Sequence, residues 1–544
     1  MTRPPNDSAR AGTWALPGLA MNRLPLTTRS IKIRLFLTCW LVFVLHFATD
    51  FVREHYLVVS IVEDHSFALN KYLGLHVDIF ENPPDAPVQG AHHGANPGIS
   101  MIAAIPYFMF RPAVDAIVKR TLTARQGHAD TTTAVYDDPR WRRVEFYQKV
   151  RRQGLDVRFG LVEAITLAFC MAPLTALSVV LIFSLLLRLG IRRTYALGMS
   201  VLYAFGTPVF FRTAYLNQNL GIGIFALGAF YLLWDPGNRS SIGLRWRYAA
   251  AGFLGGLCLL SDYSGVIALG LLGLYGVWRR HDSAPWARSL RDSLWYAAGA
   301  ALPVILLFYY QWASFGHPFY PPQHWMPPVE YIDIGYQGIG RFSPELFPML
   351  LLDPRFGLFI TAPVLVLGLA APFLKRTAQS LPARETAFCL MFSLAFVLFF
   401  SLVQYTRLQW VTGIRYLAPV IPFLFVTAVG VLLRLPRILI YAAALLSVGI
   451  NWSLAMVRDQ GTVVDNIVRV VVEGFQLPWL TVLSKTAPQY LPWLRHGVSP
   501  LALMALWAAV ITIIWTVRNP WKPLESATDE HGIGLAHDRI EASS

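Results

Sequence analysis

The chain has 544 residues, of which 55% are hydrophobic and only 14% charged, with a formal net charge of +14 and a mean hydropathy of +0.45. Soluble domains carry about 25% charged residues, and apolar runs near the ~20-residue spanning length recur along most of this chain, so a soluble globular class is excluded. The basic balance does not imply nucleic acid: no DNA- or RNA-binding signature is present, and Arg and Lys fall where the cytoplasmic loops of a membrane protein place them.

In chain order, residues 1–31 hold several Arg among Pro, Ser and Asn and predict a disordered cytoplasmic tail rather than a cleaved signal peptide. Apolar runs at about 33–49, 161–187, 194–211, 218–234, 247–261, 264–278, 294–311, 357–374, 386–403, 415–433, 438–456 and 499–516 predict twelve transmembrane helices. The fold class expected is therefore an all-α polytopic membrane protein, its membrane domain covering 32–517 and a polar cytoplasmic tail covering 518–544. Alternate connections are basic: "RLGIRR" (188–193), "DPGNRSSIGLRWR" (235–247), "RRHDSAPWARSLR" (279–291), "KRTAQSLPAR" (375–384) and "RLPR" (434–437). This alternation places both termini inside. The opposite, extracytoplasmic side receives a long first loop (50–160), "RTAYLNQN" (212–219), "SDY" (261–263), a second large loop (312–356), "LVQYTRLQWVTGI" (402–414) and the segment 457–498. Within the first loop, "NPGISMIAAIPYFMF" (96–110) is apolar but short and bounded by Pro, and reads as an interfacial or re-entrant helix.

Cys39, Cys170, Cys258 and Cys389 each fall inside a predicted span and read as small apolar residues, with no disulfide framework or metal pair. His92 and His93 have no spaced third ligand, so no metal site is expected. Walker, GxGxxG, HExxH and GxSxG motifs are absent, which leaves the polar residues of the outer face. Asp50 and Glu54 follow the first apolar run at i, i+4 and would share one face of a helix leaving the bilayer. A carboxylate there suits a general base taking a proton from an acceptor hydroxyl or amine; the alternative is an interfacial acid paired with Arg53. Arg212, Arg355, Arg407 and Arg415 are the outer-face cations able to hold a phosphate through a planar fork of donors, or else only to snorkel to head groups. Asp262 is a weaker candidate, an isolated acid at membrane depth.

The arrangement resembles the C-type superfamily of membrane glycosyltransferases (GT-C), which includes protein O-mannosyltransferases and the lipid A aminoarabinose transferase. The resemblance rests on the acids opening the first loop, "GANPGISMIAAIPYF" (94–108) where the family carries a Pro-containing element, "YYQWASFGHPFY" (309–320), "DPRFGLFITAPVLVL" (353–367) and "GIRYLAPVIPFLF" (413–425). The acids stand four apart rather than adjacent, the family's Lys-Pro-Pro is lost, and 113–158 is an insertion without counterpart. The resemblance implies a multi-pass glycosyltransferase of the bacterial inner membrane. It would move a sugar from a polyprenyl-phosphate donor to a glycan, lipid or protein acceptor on the extracytoplasmic face, without cofactor or metal. Glu54 and Asp50 would be catalytic, Glu54 foremost, and Arg415, Tyr416, Arg355, Arg407, Asn96 and His317 would bind substrate. The alternative class is a transporter or glycolipid flippase, which calls for deep ionisable residues and internal repeats; only Glu163 and Asp262 lie deep, and no repeat is visible.

Overall fold

The structure is a computed structural model that describes residues 26–126, 141–236, 241–328, 334–375, 381–409, 411–457, 460–486 and 499–517. The tail 518–544 and most of the tail 1–31 lie outside the described residues. Leu35–Val517 forms one compact unit. Its helices are α1 (Thr28–Leu45, entering from the terminus), α2 (Arg53–Glu63), α3 (Gly98–Gln126), α4 (Trp141–Arg152), α5 (Asp156–Thr166), α6 (Ala172–Arg188), α7 (Arg193–Phe205) and α8 (Val209–Arg212). There follow α9 (Gln218–Leu233), α10 (Leu244–Ser261), α11 (Gly265–His281), α12 (Trp286–Phe315), α13 (Leu346–Leu352), α14 (Leu358–Thr361), α15 (Ala383–Leu402) and α16 (Ile421–Leu432). The last are α17 (Arg437–Met456), α18 (Val463–Glu473), α19 (Pro478–Thr486) and α20 (Pro500–Thr516). Among the described residues the only paired strands are β1 (Ile79–Glu81) and β2 (Ala91–His93), antiparallel with Phe80 opposite His92.

The protein is thus all-α with a membrane character, and every predicted apolar run holds helix. Among the described residues, five helical stretches are long and apolar enough to cross a membrane: Gly98–Gln126, Asp156–Arg188, Trp286–Phe315, Ala383–Leu402 and Arg437–Met456. The pair Val463–Glu473 and Pro478–Ser484, bent by 58°, makes a sixth if it is one span. Gln218–Leu233, Pro363–Phe373, Ala418–Leu432 and Pro500–Thr516 are apolar but only 10–17 residues long. Helix length alone therefore supports four of the twelve predicted spans, those at 161–187, 294–311, 386–403 and 438–456, while Gly98–Gln126 and the bent pair fall in segments expected to be outer loops. In the Asp156–Arg188 stretch, α5 and α6 are joined by one π-helical turn, Leu167–Met171.

Two local expectations need correction. The segment 96–110 is not a short helix: α3 runs for 29 residues with Pro106 and Pro112 inside it. Each Pro removes one backbone donor, and the apolar stretch on either side carries the helix through. The first acids do not share a helical face either. The chain after α1 is non-helical at 47–52, and α2 begins only at Arg53, so Asp50 lies outside the helix whose first turn holds Glu54.

Glycines set the tightest packing. A Cβ on Gly252 would lie 1.8 Å from the Tyr296 carbonyl oxygen, and one on Gly299 would lie 1.9 Å from that of Ala249. Thus α10 and α12 touch backbone to backbone, as small residues allow in membrane bundles. Gly98 opens α3 against the end of α10, where a Cβ would stand 2.7 Å from the Leu260 backbone. Ser100 of α3 donates to the Glu54 carbonyl at 2.9 Å. These contacts bring α2, α3 and the end of α10 to one end of the bundle.

Candidate active site

A cavity of about 330 Å³ opens there, lined among others by Asp50, Arg53, Glu54, His76, Asp78, Arg143, Tyr147, Arg212, Asn217, Gln218, Asn219 and Arg415. Its floor is an ion-pair chain. Arg53 Nε stands 3.1 Å from Glu54 Oε1, and its Nη1 stands 2.9 Å from Asp78 Oδ2. The Glu54 side chain is 5% exposed and that of Asp50 26%, so Asp50 is the acid more open to an arriving molecule. Burial alone would raise Asp78, but Arg53, His76 and Arg415 together hold it below the usual carboxylate range.

Two residues of the predicted insertion close the wall, both on α4. Arg143 of α4 donates to the Thr49 carbonyl at 3.1 Å and to its hydroxyl at 2.8 Å, and stands 3.5 Å from Asp50 Oδ1. Tyr147, one turn on, donates to the same Thr49 carbonyl at 3.1 Å. The non-helical chain that carries Asp50 is therefore pinned from a helix nearly a hundred residues away.

Histidines stiffen the surroundings in one tautomer. The Nδ1 of His55 accepts the Val52 N–H at 3.1 Å, and that of His76 accepts the Asp78 N–H at 3.0 Å, so in each ring the proton sits on Nε2. Burial drives His55 down to about 4 and lowers His76 as well; both are neutral at pH 7. His92 and His93 lie buried on β2, and His93 Nδ1 accepts the Ala95 N–H at 3.0 Å. No group of three metal-ligating side chains occurs among the described residues.

On the far wall, Arg212 is buried and its Nε donates to the Ile414 carbonyl at 2.6 Å, while its other nitrogens reach the Gly413 carbonyl and the Tyr215 hydroxyl. It acts as a staple that fixes the backbone just before Arg415. The Arg415 guanidinium stacks 5.3 Å from the Tyr416 ring, and no hydrogen bond or ion pair holds it among the described residues. It is a half-buried cation facing the acids, with its donors unspent.

The sequence candidates thus divide. Asp50, Glu54 and Arg415 meet in one cavity, with Tyr416 packed behind Arg415. Asn96 donates to the Leu259 carbonyl at 2.8 Å and does not line the cavity. Arg355 is more than half exposed beside Asp353, Arg407 pairs with Glu345 at 3.1 Å, and His317 stacks on Tyr320; none of them lines the cavity. Sequence reasoning passed over Asp78, His76, Arg143, Tyr147 and the Asn217–Asn219 run as site residues. Only the last left a visible sign, three consecutive carboxamides between two apolar runs.

A second cavity of about 330 Å³, mostly apolar, shares Thr49, Phe51, Phe146 and Tyr147 with the first and reaches Phe159, Glu163 and Trp479.

Residues 148–317 match the family described as dolichyl-phosphate-mannose-protein mannosyltransferase. That family is one of the GT-C superfamily, and the likeness is confined to residues 148–317. The matched segment runs from the end of α4 through α12 and includes Arg212 and the Asn217–Asn219 run, whereas the acids and Arg415 lie on either side of it. No curated protein and no solved structure matches the chain.

Proposed function

We propose that this protein is an integral membrane glycosyltransferase that moves a sugar from a polyprenyl-phosphate donor to an acceptor on the extracytoplasmic face of a bacterial inner membrane. The observation that carries the reading is the single cavity in which two carboxylates face a cation with free donors, in a chain with a mannosyltransferase-family region. The donor's phosphate sits on Arg415, and the adjoining apolar cavity leads its prenyl chain away from the site. The acceptor hydroxyl, or amine, attacks the anomeric carbon as the bond from that carbon to the phosphate oxygen breaks. The phosphate leaves with the electron pair and the acceptor's proton passes to a carboxylate. Asp50 is the more accessible base, and Glu54, clamped by Arg53, shapes the field around it. The acceptor is a glycan, lipid or protein. The topology is of twelve spans with both termini in the cytoplasm, the shorter apolar helices crossing as members of the bundle, and 32–517 forms the catalytic domain.

The test is release of prenyl phosphate from radiolabelled prenyl-phosphomannose in membranes that hold the native acceptors. Asp50→Asn and Glu54→Gln are each expected to lower the rate by about 10²-fold or more while donor binding persists. Rates within a few-fold of the parent for both variants would refute the general-base assignment.

A further inference from the structure

The wall formed by the first turn of α9 has a chemistry that the acids and Arg415 do not use. Gln218 and Asn219 line the cavity and are 5% and 2% exposed. Gln218 donates from Nε2 to Asp262 Oδ2 at 2.8 Å, which leaves Oε1 buried with no partner. Asp262 is itself fixed, since its Oδ1 accepts both the Ser264 N–H at 2.9 Å and the Ser264 hydroxyl at 2.7 Å. The Gln218 amide therefore has one orientation, with its acceptor end turned away from Asp262. The Asn219 carboxamide makes no hydrogen bond through either end among the described residues, and its Oδ1 is buried. Next to them Asn217 is spent on capping α9, its Oδ1 accepting the Leu220 N–H at 3.0 Å. Two of three adjacent carboxamides are thus left unsatisfied at the cavity, and a buried polar group without a partner is costly unless a ligand completes it.

We propose that Gln218 and Asn219 form the subsite that reads the hydroxyl groups of the donor's sugar, with Asp262 as the positioning residue that holds the Gln218 carbonyl ready to accept. A carboxamide both donates and accepts, as a hydroxyl does, so Asn219 can engage a neighbouring pair of sugar hydroxyls, while Gln218 accepts from one. The phosphate and prenyl chain have no hydroxyls and make no use of this wall. The proposal rests on the polyprenyl-phosphate donor reading above.

The test compares two probes on the full-length protein in detergent: a C20 prenyl phosphate without sugar, and the same lipid as its phosphomannose. Asn219→Leu and Gln218→Leu are expected to weaken phosphomannose binding about tenfold or more, with affinity for the sugarless phosphate changed less than twofold. Asp262→Asn, which lets the Gln218 amide turn over, is expected to weaken phosphomannose binding at least threefold with the same sparing of the phosphate. Equal losses on both probes, or no loss on either, would overturn the subsite and leave the donor reading standing. A parent protein that binds neither probe would overturn both.

Discussion

Arg53 offers the sharpest energetic test, because it forms ion pairs with two carboxylates of the cavity floor. Arg53→Met keeps the apolar stem and removes the charge. Glu54, 5% exposed at its side chain, and Asp78, 30% exposed, then lose their partner at 3.1 and 2.9 Å. Removing one member of a fully buried pair costs roughly 3–5 kcal/mol, and the water that reaches Asp78 offsets part of this. The expected loss is about 2–4 kcal/mol, well above the ~1 kcal/mol of an ordinary hydrogen bond. Denaturant titration in micelles, followed by the fluorescence of the 17 tryptophans, reads the difference at constant slope. Adding Asp78→Asn to Arg53→Met should recover about 1 kcal/mol or more, since it removes one stranded charge, although Asp78→Asn alone destabilises. A loss under 1 kcal/mol for Arg53→Met, or no recovery in the double variant, would refute the account of a charge-balanced floor.

Arg415→Lys keeps the charge and loses the fork, so donor affinity and turnover should both fall, with Arg415→Ala worse in both measurements; a Lys variant equal to the parent would reduce Arg415 to a membrane anchor. His55 titrates near 4 in the folded protein against 6.5 for the free ring, so between those values the unfolded chain binds the extra proton. Stability should be full above about pH 7 and fall as pH drops from 6.5 toward 4, by about 3 kcal/mol from this residue, while the lowered Asp78 adds a loss only below about pH 4; melting temperatures measured from pH 7.5 to 4.5 should show the His55 slope, flattened in His55→Gln. Gly252→Leu would drive a side chain into the Tyr296 carbonyl, only 1.8 Å from a Cβ, and is expected to lower the melting temperature by many degrees or abolish insertion, whereas Gly270→Leu, whose Cβ meets nothing within 4 Å, should be tolerated.

How far the sequence revealed this molecule depended on the range of the interactions involved. The apolar runs are local and dominate the composition, so their helices were legible to within about eight residues at each end. The number that cross was not, because a 16-residue buried helix such as α9 and a 20-residue span such as α15 differ in surroundings rather than in composition. Asp50, Glu54 and Arg415 were legible as charges at the mouths of apolar runs. Their geometry was not: helical spacing presumed that α1 continued, while the Thr49 backbone, next to Asp50, is instead gripped by Arg143 across 94 positions. Asp78 meets Arg53 only because the chain folds back over 25 residues. Gln218 and Asn219 read as ordinary loop polarity until burial deprived them of water.

The staple between Arg212 and the carbonyls of Gly413 and Ile414 has a consequence for biogenesis. The cavity draws on 49–54, 75–78, 143–147, 212–219 and 409–415, so the acids leave the ribosome first and Arg415 long afterwards. Until residue 415 has been translated and folded into place, Arg212 has no backbone to grip and the cavity has no far wall. A half-made chain holds the acids without the cation that shares their cavity. Folding of the segment before α16 is the step at which the cavity comes into being, and a chain truncated anywhere upstream of it lacks that wall however well its earlier helices have packed.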